Sequence, residues 1–215
     1  MKIVIFGPQG SGKGTQAELL KTKLNLPHIA TGELLRTEIA ACSSSSEELK
    51  KRLDLGELAE DEMINQLLVQ RLTLPDAKNG YILDGYPRNK MQIDFLEKLS
   101  PPDAVLEIRL SDDEVLSRLS GRRTCVSCGA IFHIITNPPE VAGRCNNCGD
   151  SLIVRSDDQL IAIGRRLNIY HQATEPAIEY YKGVNKLFVI DGRPSIVDVA
   201  TEIWSVLEAN FDLKK

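Results

Sequence analysis

The sequence predicts an α/β fold in which a parallel sheet is covered on both faces by helices. Three observations predict it. Short apolar runs of strand length alternate with longer stretches of helical spacing. The runs are apolar at consecutive positions, as strands buried on both faces are. A glycine-rich turn follows the first run and opens the first helical stretch, and in such sheets ligands bind at the carboxyl ends of the strands.

The elements can be justified in chain order. Ile3–Phe6 is the first buried strand. Lys13–Leu24 has helical spacing, with Ala17, Leu20 and Leu24 on one face. Residues 30–59 read as a helical insert interrupted by the polar run Ser43–Ser46. Asp61–Leu72, Asn89–Leu99, Asp112–Ser120, Asp157–Tyr181 and Ser195–Leu207 are the further helices, with Asp112 and Ser195 as N-caps. Tyr81–Leu83, Ala104–Ile108 and Leu187–Ile190 are the further strands. Residues 121–157 lack a long helical pattern and hold four cysteines, several glycines and the turn pair Pro138-Pro139. The expected organisation is therefore a core from 1–29, 60–120 and 158–215, with an insert at 30–59 and a small module at 121–157.

Composition limits the function classes. The 215 residues suffice for one sizeable core with a small appendage. Hydrophobic residues make up 42% and charged residues 26%, and the net charge is -4. That acidity argues against a general nucleic-acid binder. No apolar run has the length of a membrane span. The start, Met1 to Gly7, meets glycine too early for a signal-peptide core. A cytoplasmic protein is expected.

Gly7-Pro8-Gln9-Gly10-Ser11-Gly12-Lys13-Gly14-Thr15 has the make-up of a phosphate-binding P-loop. Phosphates need backbone N–H groups aimed at one point, and glycines let the backbone approach closely. The helix N-terminus adds a favourable dipole, and Lys13 adds a point charge. The hydroxyl residue comes one position late, because Gly14 separates Lys13 from Thr15.

Cys125-x2-Cys128 and Cys145-x2-Cys148 have the spacing of a zinc ribbon. Four thiolates close a tetrahedron and leave no position for a catalytic water, so zinc here is expected to be structural. Iron is the second candidate; disulfides are disfavoured in a reducing compartment. His133 is an alternative ligand but reads as a packed residue of this module. Cys42 stands apart and reads as a small apolar residue.

Several further motifs occur in one order along the chain: Gly12-Lys13-Gly14-Thr15-Gln16, Thr31-Gly32-Glu33-Leu34-Leu35-Arg36, Asp84-Gly85-Tyr86-Pro87-Arg88 with Gln92, Gly121-Arg122-Arg123, Arg155-Ser156-Asp157-Asp158, Arg165-Arg166-Leu167, Tyr170-His171-Gln172 and Asp191-Gly192. Together they resemble the adenylate kinases across nearly the whole chain. Phosphoryl transfer requires positioning and charge neutralisation more than covalent chemistry, and guanidinium groups fork onto phosphate oxygens.

The resemblance implies a magnesium-dependent transfer between ATP and AMP, giving ADP, by a monomer whose insert binds AMP and whose cysteine module is a lid. It places the ATP phosphates on Gly10, Ser11, Gly12, Lys13, Gly14 and Thr15. The Ser11 side chain itself reads as a small loop residue. Arg118, Arg122, Ile131 and Phe132 come from the lid side, and the backbone at Arg193 meets the donor base. AMP falls to Thr31, Arg36, Glu57, Leu58, Ala59, Gly85, Tyr86, Pro87, Arg88 and Gln92, whose amide offers a donor and an acceptor to the base. Arg155 and Arg166 reach the AMP phosphate and the transferring group. Lys13, Arg88, Arg122, Arg155, Arg166 and Asp84 form the implied catalytic set, with Asp84 orienting magnesium through water. Asp157 and Asp158 hold the closed lid.

Arg123 and Arg165 are balanced between site and surface. His28 and His171 lie near motifs without the look of a catalytic base. Three stretches depart from the family pattern: Pro8-Gln9-Gly10, Ala59 within Gly56–Glu62, and Leu160-Ile161-Ala162. Other nucleoside monophosphate kinases, acting on UMP or CMP or using GTP, are the neighbouring alternative. A zinc-ribbon nucleic-acid binder is the remote one.

Overall fold

The computed structural model describes residues 1–41, 46–55 and 57–213. Cys42, Ser43 to Ser45 and Gly56 lie outside the described residues, and with them the expectations for Cys42 and most of the serine run.

Five strands form an all-parallel sheet: β1 (Lys2–Phe6), β2 (His28–Ala30), β3 (Tyr81–Asp84), β4 (Ala104–Arg109) and β8 (Leu187–Asp191), in the order β2-β3-β1-β4-β8. The register sets Ile5 beside Asp84 on one side and Leu106 on the other. Helices cover both faces because both faces are apolar. On one, Val4, Leu83 and Val105 pack with Ile93, Leu96 and Tyr181. On the other, Ile3, Ile5, Ile82 and Leu106 pack with Ala17, Leu20, Ile203 and Leu207. Burial at about 25 cal/mol per Å² of apolar surface drives this assembly.

The helices are α1 (Lys13–Leu24), α2 (Thr31–Ala40), α3 (Ser46–Asp54), α4 (Asp61–Leu72), α5 (Lys90–Leu99), α6 (Asp112–Gly121), α7 (Leu160–Ile169), α8 (Glu175–Gly183) and α9 (Ile196–Asn210). Ser195 caps α9 as expected, its side chain accepting from the Asp198 N–H. The cap of α6 is Ser111 rather than Asp112: Ser111 accepts from the Glu114 N–H while Glu114 reaches back to the Ser111 N–H, a reciprocal capping box. The helix expected over Asp157–Tyr181 is three pieces. A 3-10 turn at Ser156–Asp158 precedes α7, and a π turn at Tyr170–Thr174 separates α7 from α8. Pro176 stands in the first turn of α8, where its missing N–H breaks the regular ladder and the backbone widens before it.

Residues 121–157 add a second sheet. Strands β5 (Arg122–Cys125), β6 (Ile131–His133) and β7 (Leu152–Ile153) pair antiparallel in the order β6-β5-β7. Its core is small: Cys125, Phe132 and Cys145, with Ala130 and Leu152 against them. No helix among the described residues is long and apolar enough to cross a membrane.

Candidate active site

The carboxyl ends of the parallel strands open into one cleft. The glycine-rich loop leaves β1 and turns back on itself, the Ser11 N–H donating to the Pro8 carbonyl at 3.2 Å. Gly12 then enters α1 at a φ of 94°, a conformation that strains any L side chain. No side chain caps α1, so its first-turn N–H groups are donors for an anion at the loop. Ser11 is buried and its hydroxyl has no partner among the described residues.

Charge concentrates at this point. Lys13 is half-buried deep in the cleft, where loss of water draws its ammonium down to about 8; Asp84 opposes the shift, and Arg166, Arg88 and Arg122 add to it. Burial lowers Arg166 to about 10, with Asp157 resisting. Asp84 sits at the end of β3. Burial alone would raise its carboxyl, but Lys13, His28 and Arg88 hold it below the ordinary carboxylate value. Lys13, Arg88, Arg122 and Arg166 thus share one electrostatic environment around Asp84 and Asp157.

Three of the arginines are held by carboxylates. Asp157 accepts from Arg155 Nε at 2.9 Å and from Arg166 at 2.8 Å. Asp158 accepts from Arg122 Nε at 2.8 Å. Both acids lie in the turn ahead of α7, so one short segment gathers three expected phosphate-binding arginines. Arg36 lies on α2, and burial lowers it, with Arg155 adding to the shift.

Beside β3, Thr31 donates to the Gly85 carbonyl at 3.0 Å, fastening α2 to the turn. Tyr86 and Pro87 are joined by a cis peptide bond. The turn closes with Arg88: its Nε donates to the Gly85 carbonyl at 2.7 Å and its backbone N–H to Gln92 Oε1 at 2.7 Å. Gln92 Nε2 donates to Asp61 at 2.6 Å. One lone pair and one N–H of the buried Gln92 amide are therefore engaged within the protein. Leu58 lines the cleft, its carbonyl accepting from Arg52. Ala59 packs on the core, and Glu57 pairs with Arg165 at 3.5 Å.

At the far end of the sheet, Arg118 donates to the Gly192 carbonyl at 2.7 Å and to the Arg193 carbonyl at 3.3 Å. Ile131 is half-exposed, while the Phe132 side chain is buried with Cys125 and Cys145. The Phe132 backbone pairs with Arg123 of β5, and neither Ile131 nor Phe132 lines the cleft.

The four cysteines meet as their spacing suggests. Their sulfurs all lie within 4.8 Å of one another, with Cys125–Cys148 at 3.4 Å and Cys128–Cys145 at 3.5 Å. A tetrahedron with metal–sulfur bonds of about 2.3 Å has sulfurs about 3.8 Å apart, so this set could hold such a metal. The Cys128 N–H, against the cost of burial and aided by the Ser127 N–H, pulls the Cys125 thiol down to about 6. His133 is not in the cluster. Its Nδ1 accepts from the Ile135 and Thr136 N–H groups at 3.2 and 3.1 Å, and its ring lies against Gly121.

Comparison with known proteins is decisive: the adenylate kinase family model matches residues 5–186. The chain belongs to the adenylate kinase family. An adenylate kinase of Methanothrix thermoacetophila is 43% identical over 212 residues, spanning 96% of this chain and 98% of that protein. One of Methanocella arvoryzae is 41% identical over 212 residues, with coverage of 96% and 98%. One of Nitrosococcus oceani is 41% identical over 214 residues, with coverage of 97% and 99%.

Within this adenylate kinase fold, several participants escaped the sequence reading. Asp61 and Asn89 anchor Gln92: Asn89 donates to Asp61 at 2.9 Å and accepts from the Gln92 N–H at 2.9 Å. His28 lies between Glu18, at 2.7 Å, and Asp84, at 3.6 Å. Burial would lower its pKa, but the two carboxylates raise it above the ordinary histidine value. The polar residue after Pro-Arg and the acid opening α4 were the available signals, but nothing in sequence joined them. Arg123 donates to the Ser120 and Arg122 carbonyls, and Arg165 is half-exposed toward Glu57.

Proposed function

We propose that this chain catalyses the reversible transfer of the terminal phosphoryl group of ATP to AMP, giving two molecules of ADP. The observation that carries the reading is that Lys13, Arg88 and Arg166 line one cleft beside the glycine-rich loop, with Arg122 held nearby on Asp158. Lys13, Arg88, Arg122, Arg155 and Arg166 stand there against Asp84, Asp157 and Asp158, an excess of positive charge that suits a phosphate-rich ligand.

In this reading the loop from Gly10 to Thr15 cradles the donor phosphates, and their charge favours the ammonium form of Lys13. An AMP phosphate oxygen forms the new bond to the γ-phosphorus as the bond to the β,γ-bridging oxygen breaks. Arg88 and Arg155 hold the acceptor phosphate, while Arg122 and Arg166 neutralise the equatorial oxygens of the group in transit. Thr31, Arg36, Leu58 and Gln92 enclose the acceptor nucleotide, and Arg118 with the Arg193 backbone meets the donor base. Asp84, held below the ordinary carboxylate value beside Lys13, is the residue that would hold magnesium, which when bound would supply charge neutralisation to the donor phosphates.

Zinc fits the cysteine cluster on charge, softness and spacing, and would supply folding energy to a module whose apolar core is only a few residues. The departure at Leu160 and Ile161 leaves this scheme intact: both are exposed in the first turn of α7 and neither lines the cleft.

A coupled assay of ADP formation from ATP with AMP, UMP, CMP or GMP, with and without magnesium, tests the proposal. Magnesium-dependent turnover with AMP far above the others supports it. Preference for another acceptor would move the chain to a neighbouring monophosphate kinase specificity.

A further inference from the structure

Resting on that phosphotransferase reading, we propose that Gln9 is a positioning residue for phosphoryl transfer: it ties the phosphate loop to α7 and thereby sets the spacing of Lys13 and Arg166. Gln9 stands in the loop where the related pattern carries proline. Its side chain is turned inward, only 6% exposed, and Nε2 donates to the Ile163 carbonyl of α7 at 3.2 Å. A mid-helix carbonyl accepts one bond within the helix and keeps a second lone pair. Gln9 uses that spare acceptor without opening α7.

The link joins the two segments that present the reacting charges. Lys13 follows Gln9 at the entry of α1, and Arg166 follows Ile163 by three residues on α7, close to the same helix face. Gln9, Lys13 and Arg166 all line the cleft. Beneath the link, Ile163 and Leu167 of α7 pack with Val115 and Leu119 of α6. Gly10 lies so close that a Cβ there would stand 3.2 Å from Leu119. The loop therefore rests on both helices that flank residues 121–157. Lys13 and Arg166 repel each other yet must face one phosphoryl group. A hydrogen bond in a dry position resists that repulsion, and proline or an apolar side chain cannot donate it.

Gln9→Met keeps length and volume and removes the donor. The expected result is a fall in kcat of about tenfold, the value of one well-placed hydrogen bond, with KM for ATP and AMP both nearly unchanged. The thermal midpoint should stay within about 4 °C of wild type. Gln9→Glu, which sets an acceptor against the Ile163 carbonyl, should fall further. An unchanged kcat in Gln9→Met, or a raised KM for ATP at unchanged kcat, would overturn the proposal. The wild-type protein gives a second readout that needs no substrate: the Gln9 side-chain amide protons should exchange slowly by NMR, and rapid exchange would overturn the link. A wild type that shows this protection but transfers nothing to AMP would refute the phosphotransferase reading instead.

Discussion

Arg122 and Asp158 join the segment leaving α6 to the segment entering α7: Arg122 Nε donates to Asp158 Oδ2 at 2.8 Å, and the Asp158 side chain is wholly out of solvent. Asp157, next in line, holds Arg155 and Arg166. Two neighbouring carboxylates thus keep three arginines in place. Removing one partner of a buried pair leaves the other uncompensated, at a cost of about 3 kcal/mol. Asp158→Ala should lose stability of that order in urea unfolding. A loss below about 0.5 kcal/mol would show the pair to be dispensable.

Arg88 is fixed at the carboxyl end of β3 by its Nε on the Gly85 carbonyl and its backbone N–H on Gln92 Oε1, and only the first of these is lost with the side chain. Arg88→Ala should cut kcat by about a hundredfold or more while circular dichroism and the thermal midpoint hold near wild type. Near-normal turnover would take Arg88 out of the catalytic set.

The parts of the fold visible in sequence were those whose local pattern has no competitor. Ile3–Phe6 and Ala104–Ile108 are unbroken apolar runs, and the loop before Lys13 fixes where the ligand end of the sheet must be. His28–Ala30 was not visible as a strand, since three residues headed by a half-buried histidine carry no period. The strands of residues 121–157 are equally short and are held by pairing and cysteines rather than by alternation. The helix break at Tyr170–Thr174 was signalled by Pro176 but hidden by continuous helical spacing. In the site, motif residues were legible because their chemistry is specific. Asp61 and Gln9 were not, because Gln92 and Ile163, the groups that give them meaning, are distant in sequence and near only in the fold.

Stability should respond to pH through histidine. Glu175 and Asp112 raise His171 above the ordinary value of 6.5 despite a small opposing burial, and His28 shifts the same way. A raised folded pKa means the folded state binds more protons in this window. The contribution is complete below pH 6.5 and is lost as pH rises through the folded value. Urea midpoints should therefore decline from pH 6.5 upward, and His171→Gln should flatten part of that slope. An identical slope in the variant would contradict the assignment.

Chelation should act locally. The protein as purified should contain about one zinc per chain by elemental analysis. Stripping it should abolish amide protection in residues 121–157 while β1 and β4 keep theirs, because the two cores are separate. Retained protection of residues 121–157 without metal would mean the thiols are not a folding site.

The most direct test of the central claim is to follow ATP and AMP with the magnesium-loaded protein by phosphorus NMR. The account predicts two ADP for each ATP and AMP consumed, no free phosphate, and the same equilibrium mixture when ADP alone is supplied. Release of inorganic phosphate from ATP with AMP left unchanged would contradict it.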